Sequence, residues 1–91
     1  ADYRLYHWRS ADQREIDILI DGGSHLVCVE IKASASVSGD DFKHLKWFSK
    51  DGPGRSRTCA GIVFYLGPEK LTFGDRSFAL PVSSLWSDIN V

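Results

Sequence analysis

The stretch "EIDILIDGGSHLVCVEIK", residues 15–32, constrains the fold of this chain more than any other. Polar and apolar residues alternate on both sides of the turn "DGGS", a pattern typical of a β-hairpin. With residues 22–25 as the loop, the register follows from the alternation. It pairs Asp21 with Leu26, Leu19 with Cys28, Asp17 with Glu30, and Glu15 with Lys32. The hairpin therefore predicts one face that carries acids and one apolar face formed by Ile16, Ile18, Ile20, Val27, Val29 and Ile31.

The pairing of Asp17 with Glu30 is the feature that indicates chemistry. Directly opposed residues have Cβ atoms about 5 Å apart, and like charges at that distance destabilise a sheet. Two such carboxylates can bind one hard divalent cation, Mg²⁺ or Mn²⁺. Lys32 would lie at the edge of this site, and a metal with a nearby ammonium group suits phosphodiester hydrolysis. The alternative interpretation is a solvated strand face with a Glu15–Lys32 ion pair.

The remaining elements predict an α/β fold with a mixed sheet. Alternation or continuous apolar runs indicate strands at 5–9, 14–20, 26–32 and 60–67, and a closing hairpin at 72–73 and 78–82 around "GDRS". A helix is expected at 39–50, with Ser38 as its N-cap and Asp41 at the capping-box position. A last helical turn is expected at 83–87, with Trp86 folded onto the core. The order βββαβ implies a crossover helix, expected on the apolar face, opposite the acids.

Composition limits the classes of partner. Eleven Lys and Arg against twelve Asp and Glu give a net charge of −1, so no overall basic field attracts nucleic acid. No apolar run reaches transmembrane length and no signal peptide is visible, which predicts a cytoplasmic protein without membrane contact. Cys28 and Cys59 lie in apolar strands and are expected to be buried thiols. The chain contains no methionine, which favours a fragment of a longer protein.

Several other side chains have a structural and a functional interpretation. Trp8, Trp47 and Trp86 could stack on nucleobases, although anchoring of the core is the better explanation in a small domain. Arg55 and Arg57 on the Gly-Pro loop could bind a phosphate backbone, or be solvated. His7, His25 and His44 are dispersed over strand, turn and helix and lack the spacing of metal ligands.

Asp17 followed by "EIK" (30–32) resembles the core of PD-(D/E)xK nucleases. The segments "YHWRSADQREIDILI", "VEIKASASVSGDDFKHL", "GIVFYLG" and "FGDRSFALPVSSLW" extend the match to nearly the whole chain. Together they resemble the C-terminal nuclease-like domain of uncharacterised prokaryotic AAA-type ATPases. The resemblance implies a restriction-endonuclease-like core in a single domain, 1–91, of a larger ATPase. It also implies Asp17 and Glu30 as metal ligands for Mg²⁺ or Mn²⁺ and Lys32 as the catalytic lysine.

The chain departs from that family in one respect. PD-(D/E)xK enzymes commonly begin with a helix that carries another acid, whereas this chain starts almost at its first strand. The resemblance therefore implies that this helix is missing or lies outside the fragment, with Glu15 as the candidate auxiliary acid. The expected function is metal-dependent hydrolysis of DNA, with the upstream ATPase domain as a partner. The alternative is a catalytically inactive module of the same fold that docks protein or DNA.

Overall fold

A computed structural model describes residues 2–87, except for the side chains of Trp86 and Ser87. Its six strands are β1 (Arg4–Arg9), β2 (Glu15–Asp21), β3 (His25–Ile31), β4 (Thr58–Tyr65), β5 (Leu71–Thr72) and β6 (Ser77–Pro81). A 3₁₀ turn at Gly39–Phe42 leads directly into α1 (Lys43–Lys50), and a short helix α2 occupies Ser84–Ser87. The predicted elements are all present, and the predicted helix at 39–50 begins as a 3₁₀ turn. The predicted packing of Trp86 lies outside the described residues.

One open sheet contains all six strands in the order β1-β2-β3-β4-β6-β5. The β3–β4 and β4–β6 pairs are parallel, and the three remaining pairs are antiparallel. The chain thus forms the predicted mixed α/β sheet, in which α1 lies on the connection between the parallel strands β3 and β4.

The 3₁₀ turn and α1 pack on the face of the sheet that carries Leu19, Leu26 and Cys28, here called the helix face. Phe42, Leu45 and Phe48 from this layer are at most 2% exposed. The prediction that the helix covers the opposite, isoleucine-rich face is wrong. Connections between parallel strands are right-handed in nearly all proteins, and this handedness selects the covered face irrespective of which face is more apolar. Asp21 and Glu30 therefore share the face of the helix.

Gly61 shows how closely the helix approaches the sheet. It lies on the helix face of β4, and a Cβ atom there would stand 3.3 Å from Cδ1 of Leu45.

On the other face, here called the open face, most side chains are only half-buried, and Leu5 and Ile31 are 65% and 56% exposed. The other members of the open face follow from the strand alternation: Ile18, Ile20, Val27, Val29, Ile62, Phe64, Phe78 and Leu80. Of these, Val29 is buried, at 4% exposure.

A β-bulge interrupts the alternation of β2. Tyr6 pairs with Leu19 and Trp8 pairs with Ile16, so three steps along β2 match two steps along β1. The extra residue lies at Asp17–Ile18 and shifts the alternation by one position. Ile16 consequently turns to the helix face, where it is fully buried. The prediction that Ile16 shares a face with Ile18 and Ile20 is wrong for this reason.

Candidate acidic site

The two hairpin strands separate beyond the bulge, and the candidate site lies at this opening. Leu19 and Asp21 pair with Cys28 and Leu26 as predicted, and the regular pairs end at Ile18 and Val29. Past that point, Oδ2 of Asp17 accepts a hydrogen bond of 2.8 Å from the backbone N–H of Ile31. A side-chain carboxylate thus occupies the place of a main-chain acceptor. Asp17 is held beside the strand that carries Glu30.

Among the described residues, Glu30 is the acid with a buried oxygen atom that lacks a hydrogen-bond partner. Its Oε1 atom is buried and accepts no hydrogen bond from them. Burial raises the pKa of Glu30 to about 7, and the negative charge of Asp17 contributes to the increase. Glu15 adds a smaller effect in the same direction. The sheet therefore brings a carboxylate partly out of water and places it against a second carboxylate, which is costly unless a proton or a cation is bound.

Lys32 is engaged by the helix layer. Its ammonium Nζ lies 2.8 Å from Oδ2 of Asp41, and the same oxygen accepts the backbone N–H of Ser38. These contacts lower the pKa of Asp41, with the hydrogen bond from Lys32 as the largest cause. The sequence identified Asp41 as a capping residue, and its second role was not foreseen. The loop between β3 and the helix brings this capping acid back to the end of the strand.

Glu15 lies beside the site with a partner of its own. It accepts a 2.8 Å hydrogen bond from Nε of Arg9, its neighbour on β1. The Glu15–Lys32 ion pair of the alternative interpretation does not form, because Glu15 pairs with Arg9 and Lys32 pairs with Asp41. The structure thus brings Asp17 and Glu30 together, and places Lys32 with Asp41 and Glu15 with Arg9.

The site offers two carboxylates as ligands for a hard divalent cation. The orphaned oxygen of Glu30 supplies a ligand atom without a partner, and the carboxylate of Asp17 lies near enough to raise the pKa of Glu30. One or two carboxylates, with water and phosphate oxygens, are a common protein contribution to Mg²⁺ sites. No cluster of three or more His, Cys, Asp or Glu side chains with metal-binding geometry occurs in the described part of the chain. The two acids can hold such an ion only with help from other ligands.

Comparison with known families gives one match, and it spans almost the entire chain. Residues 1–85 match the model described as "Domain of unknown function (DUF4143)". The chain belongs to the DUF4143 family. Neither curated proteins nor solved structures show a significant match to this DUF4143 domain.

Two further predictions concern the environment of the domain. Both cysteines of the DUF4143 domain are free and buried, as the sequence predicted, and burial raises the pKa of Cys28 to about 12. Over the range that the structure describes, helices long and apolar enough to cross a membrane are absent.

Proposed function

We propose that this DUF4143 domain is a nuclease-like domain that hydrolyses DNA phosphodiester bonds with Mg²⁺ or Mn²⁺. We further propose that it acts as part of a chain that carries an AAA-type ATPase domain. The observation that carries the proposal is the orphaned, buried Oε1 of Glu30, a residue whose carboxyl group interacts with that of Asp17. A purely structural acid pair would be expected to find donors within the fold. The resemblance to PD-(D/E)xK cores assigns the same two residues to a metal.

In this proposal the side chains of the domain bind the metal ion and stabilise the negative charge of the substrate phosphate. Asp17 and Glu30 would hold the cation, and the hydrogen bond from Ile31 fixes the orientation of the Asp17 carboxylate. A bound divalent cation would polarise the phosphate and lower the pKa of a water molecule. Lys32 would offset negative charge on the phosphate oxygens. Because Asp41 holds the ammonium group at 2.8 Å, substrate phosphate has to compete with this carboxylate.

The metal part is tested by thermal unfolding with and without MnCl₂. Wild-type protein at a Mn²⁺ concentration of about 100 times the Kd should gain roughly 2.7 kcal/mol of stability. Asp17→Asn and Glu30→Gln should lose this gain, whereas Asp51→Asn, an exposed acid that follows α1, should keep it. An unchanged Mn²⁺ response in both site variants would remove the metal from the proposal.

The catalytic part is tested by nicking of plasmid DNA in Mn²⁺. We expect weak cleavage by the isolated domain, since the net charge of −1 offers little general attraction for DNA. Stronger cleavage is expected from the longer chain that supplies further DNA contacts. Lys32→Ala should abolish that activity and leave the Mn²⁺ response of the domain unchanged. Cleavage that persists without the lysine would contradict its catalytic role.

A catalytically inactive docking module of the same fold is the second candidate. Two observations favour it. Lys32 is paired with Asp41, and in the described residues only two possible metal ligands lie together, rather than three. This candidate predicts a longer chain that binds Mn²⁺ or DNA and cuts neither single-stranded nor duplex DNA. The nicking assay therefore separates the two functions.

A further inference from the structure

A cavity of about 140 Å³ opens on the helix face, beside the hairpin. Aromatic and aliphatic side chains form most of its wall, and a guanidinium lies at its margin: Tyr6, Trp8, Leu19, Leu26, Phe48 and Arg57. A cavity of similar volume, about 150 Å³, can bind benzene, so the space here is sufficient for one six-membered ring. We propose that the cavity binds a nucleobase of a single-stranded nucleic acid. As a substrate preference, this inference rests on the proposed nuclease function; as a binding site, it does not.

The aromatic wall has one accessible ring and one fixed ring. Tyr6 lies on the edge strand β1 and is 44% exposed. Trp8 packs edge-on against Phe48, with ring centroids 5.1 Å apart, and lies 6.1 Å from Trp47. Bases stack on such side chains with little dependence on sequence, since each base presents a π-face. The arrangement thus offers two positioned rings, since the Tyr6 hydroxyl donates to Asp21 at 3.1 Å and Trp8 packs against Phe48.

Charge next to the cavity favours a nucleotide over an aromatic protein side chain. Arg57 also borders a cleft of about 440 Å³, which contains Lys50, Arg76 and one acid, Asp75. Asp75 lies 3.4 Å from Lys50. With Asp21, which pairs with Arg57, three cations face two carboxylates. This net positive charge complements the phosphates that flank a base, whereas a buried Phe or Tyr side chain of a partner would not require it.

Arg57 borders both the cavity and the cleft. Its NH1 donates to Oδ1 of Asp21 at 2.9 Å, and an arginine has five N–H donors, so other donors remain for a phosphate. The bond to Asp21 holds the guanidinium at the mouth of the cavity. The base site and the phosphate cleft therefore meet at one positioned side chain.

The cavity lies within reach of the acidic site. Leu19 follows Asp17 by two residues on β2, about 7 Å along a strand, and Leu26 precedes Glu30 by four residues on β3, about 13 Å. The cavity and the acids therefore lie on the same hairpin, with the buried side chains of Ile16 and Cys28 between them. Bases of a duplex are paired and stacked, so they cannot enter without unpairing. The geometry predicts a preference for single strands.

The test is a fluorescence-anisotropy titration of a labelled oligothymidylate in EDTA, which removes catalysis and metal from the measurement. Tyr6→Ala should bind about tenfold more weakly, because it removes one stacking surface. Tyr6→Phe keeps the ring, and Tyr3→Ala removes an exposed tyrosine that does not line the cavity; both should bind within about twofold of wild type. Arg57→Gln should weaken binding and reduce its salt dependence by about one charge. A duplex of equal length should bind more weakly than the single strand.

Equal binding by Tyr6→Ala and wild type, or equal binding of duplex and single strand, would overturn the base site. Displacement of the oligonucleotide by a tryptophan-containing peptide but not by thymidine monophosphate would assign the cavity to a protein partner and also overturn it. Circular dichroism of each variant checks folding, and Arg57→Gln supplies an independent result if Tyr6→Ala unfolds. A domain that binds the oligonucleotide but fails the nicking assay would lose the hydrolase function and keep this site. A domain that passes the nicking assay without oligonucleotide binding would lose only this site.

Discussion

Each end of the hairpin carries an acidic side chain, and the two carboxylates have opposite environments. At the turn, the carboxylate of Asp21 receives hydrogen bonds from Gly23 N–H, Arg57 and the Tyr6 hydroxyl at 2.8, 2.9 and 3.1 Å. The Gly23 bond and then Arg57 are the main causes that lower the pKa of Asp21. At the opening, Glu30 has a buried oxygen without a donor, and its pKa is raised to about 7.

This difference separates a structural acid from a candidate functional one. Gly23 has φ of +90°, a conformation that favours glycine, and so the turn itself supplies a donor to Asp21. At the other end the strands diverge, and the backbone N–H of Ile31 is donated to Asp17 instead of to a strand partner. Fully satisfied acids hold a fold together, whereas a desolvated, unsatisfied acid pair is costly and is expected where a ligand compensates.

Glu30→Gln should have the largest effect on the metal-free protein. Because the folded-state pKa of Glu30 lies above its ordinary value of 4.5, at about 7, the folded protein binds more protons in this window. Its contribution to stability is therefore greatest below pH 4.5 and is lost as the pH rises to about 7. After allowance for its partial exposure, Glu30→Gln should stabilise the domain by about 1–2 kcal/mol at pH 8. Urea unfolding at pH 5 and pH 8 measures this difference.

A variant that is no more stable than wild type at pH 8 would contradict the view that the acid pair is costly. Asp51→Asn serves as the control, because this exposed acid follows α1 and lies apart from the hairpin. It should leave both the stability and its pH dependence unchanged.

Asp21→Asn should have a smaller effect of the opposite sign. The folded-state pKa of Asp21 is below its ordinary value of 3.8, so its stabilising contribution is present above that pH and is lost as the pH falls below it. The variant should therefore be less stable than wild type at pH 7, and the two should converge in acid. Urea unfolding over pH 3–7 tests this. A gain in stability at pH 7, as expected for Glu30→Gln, would erase the contrast between the two ends of the hairpin.

Glu15→Gln should have the smallest effect. Its carboxylate pairs with Arg9 at the surface, where the two side chains are 37% and 58% exposed. Such pairs contribute at most about 1 kcal/mol. We expect a small loss of stability and an unchanged Mn²⁺ response. Loss of the Mn²⁺ response in Glu15→Gln would make Glu15 a member of the site, as the sequence proposed, and would move the boundary between the two regions.

Local patterns predicted much of the hairpin correctly. The turn at 22–25 and the pairs of Asp21 with Leu26 and Leu19 with Cys28 agree with the structure. These features depend on neighbours a few residues apart, so alternation and turn residues suffice to specify them. The bulge at Asp17–Ile18 has no glycine or proline to signal it, and it was missed. One inserted residue changed the face of Ile16 and replaced the expected Asp17–Glu30 strand pair with a side-chain contact.

The sequence by itself determined the strands, the helix, the mixed sheet and the identity of the two acids that meet. Only the tertiary structure decided which face the helix covers, because the handedness of the β3–α1–β4 crossover sets that choice. Hydrophobic alternation along a strand contains no information about this handedness. The tertiary structure also decided the partners of Lys32 and Glu15, since Asp41 and Arg9 come from other elements. Charge pairing depends on distances across the fold, and a pattern within one hairpin contains no information about them.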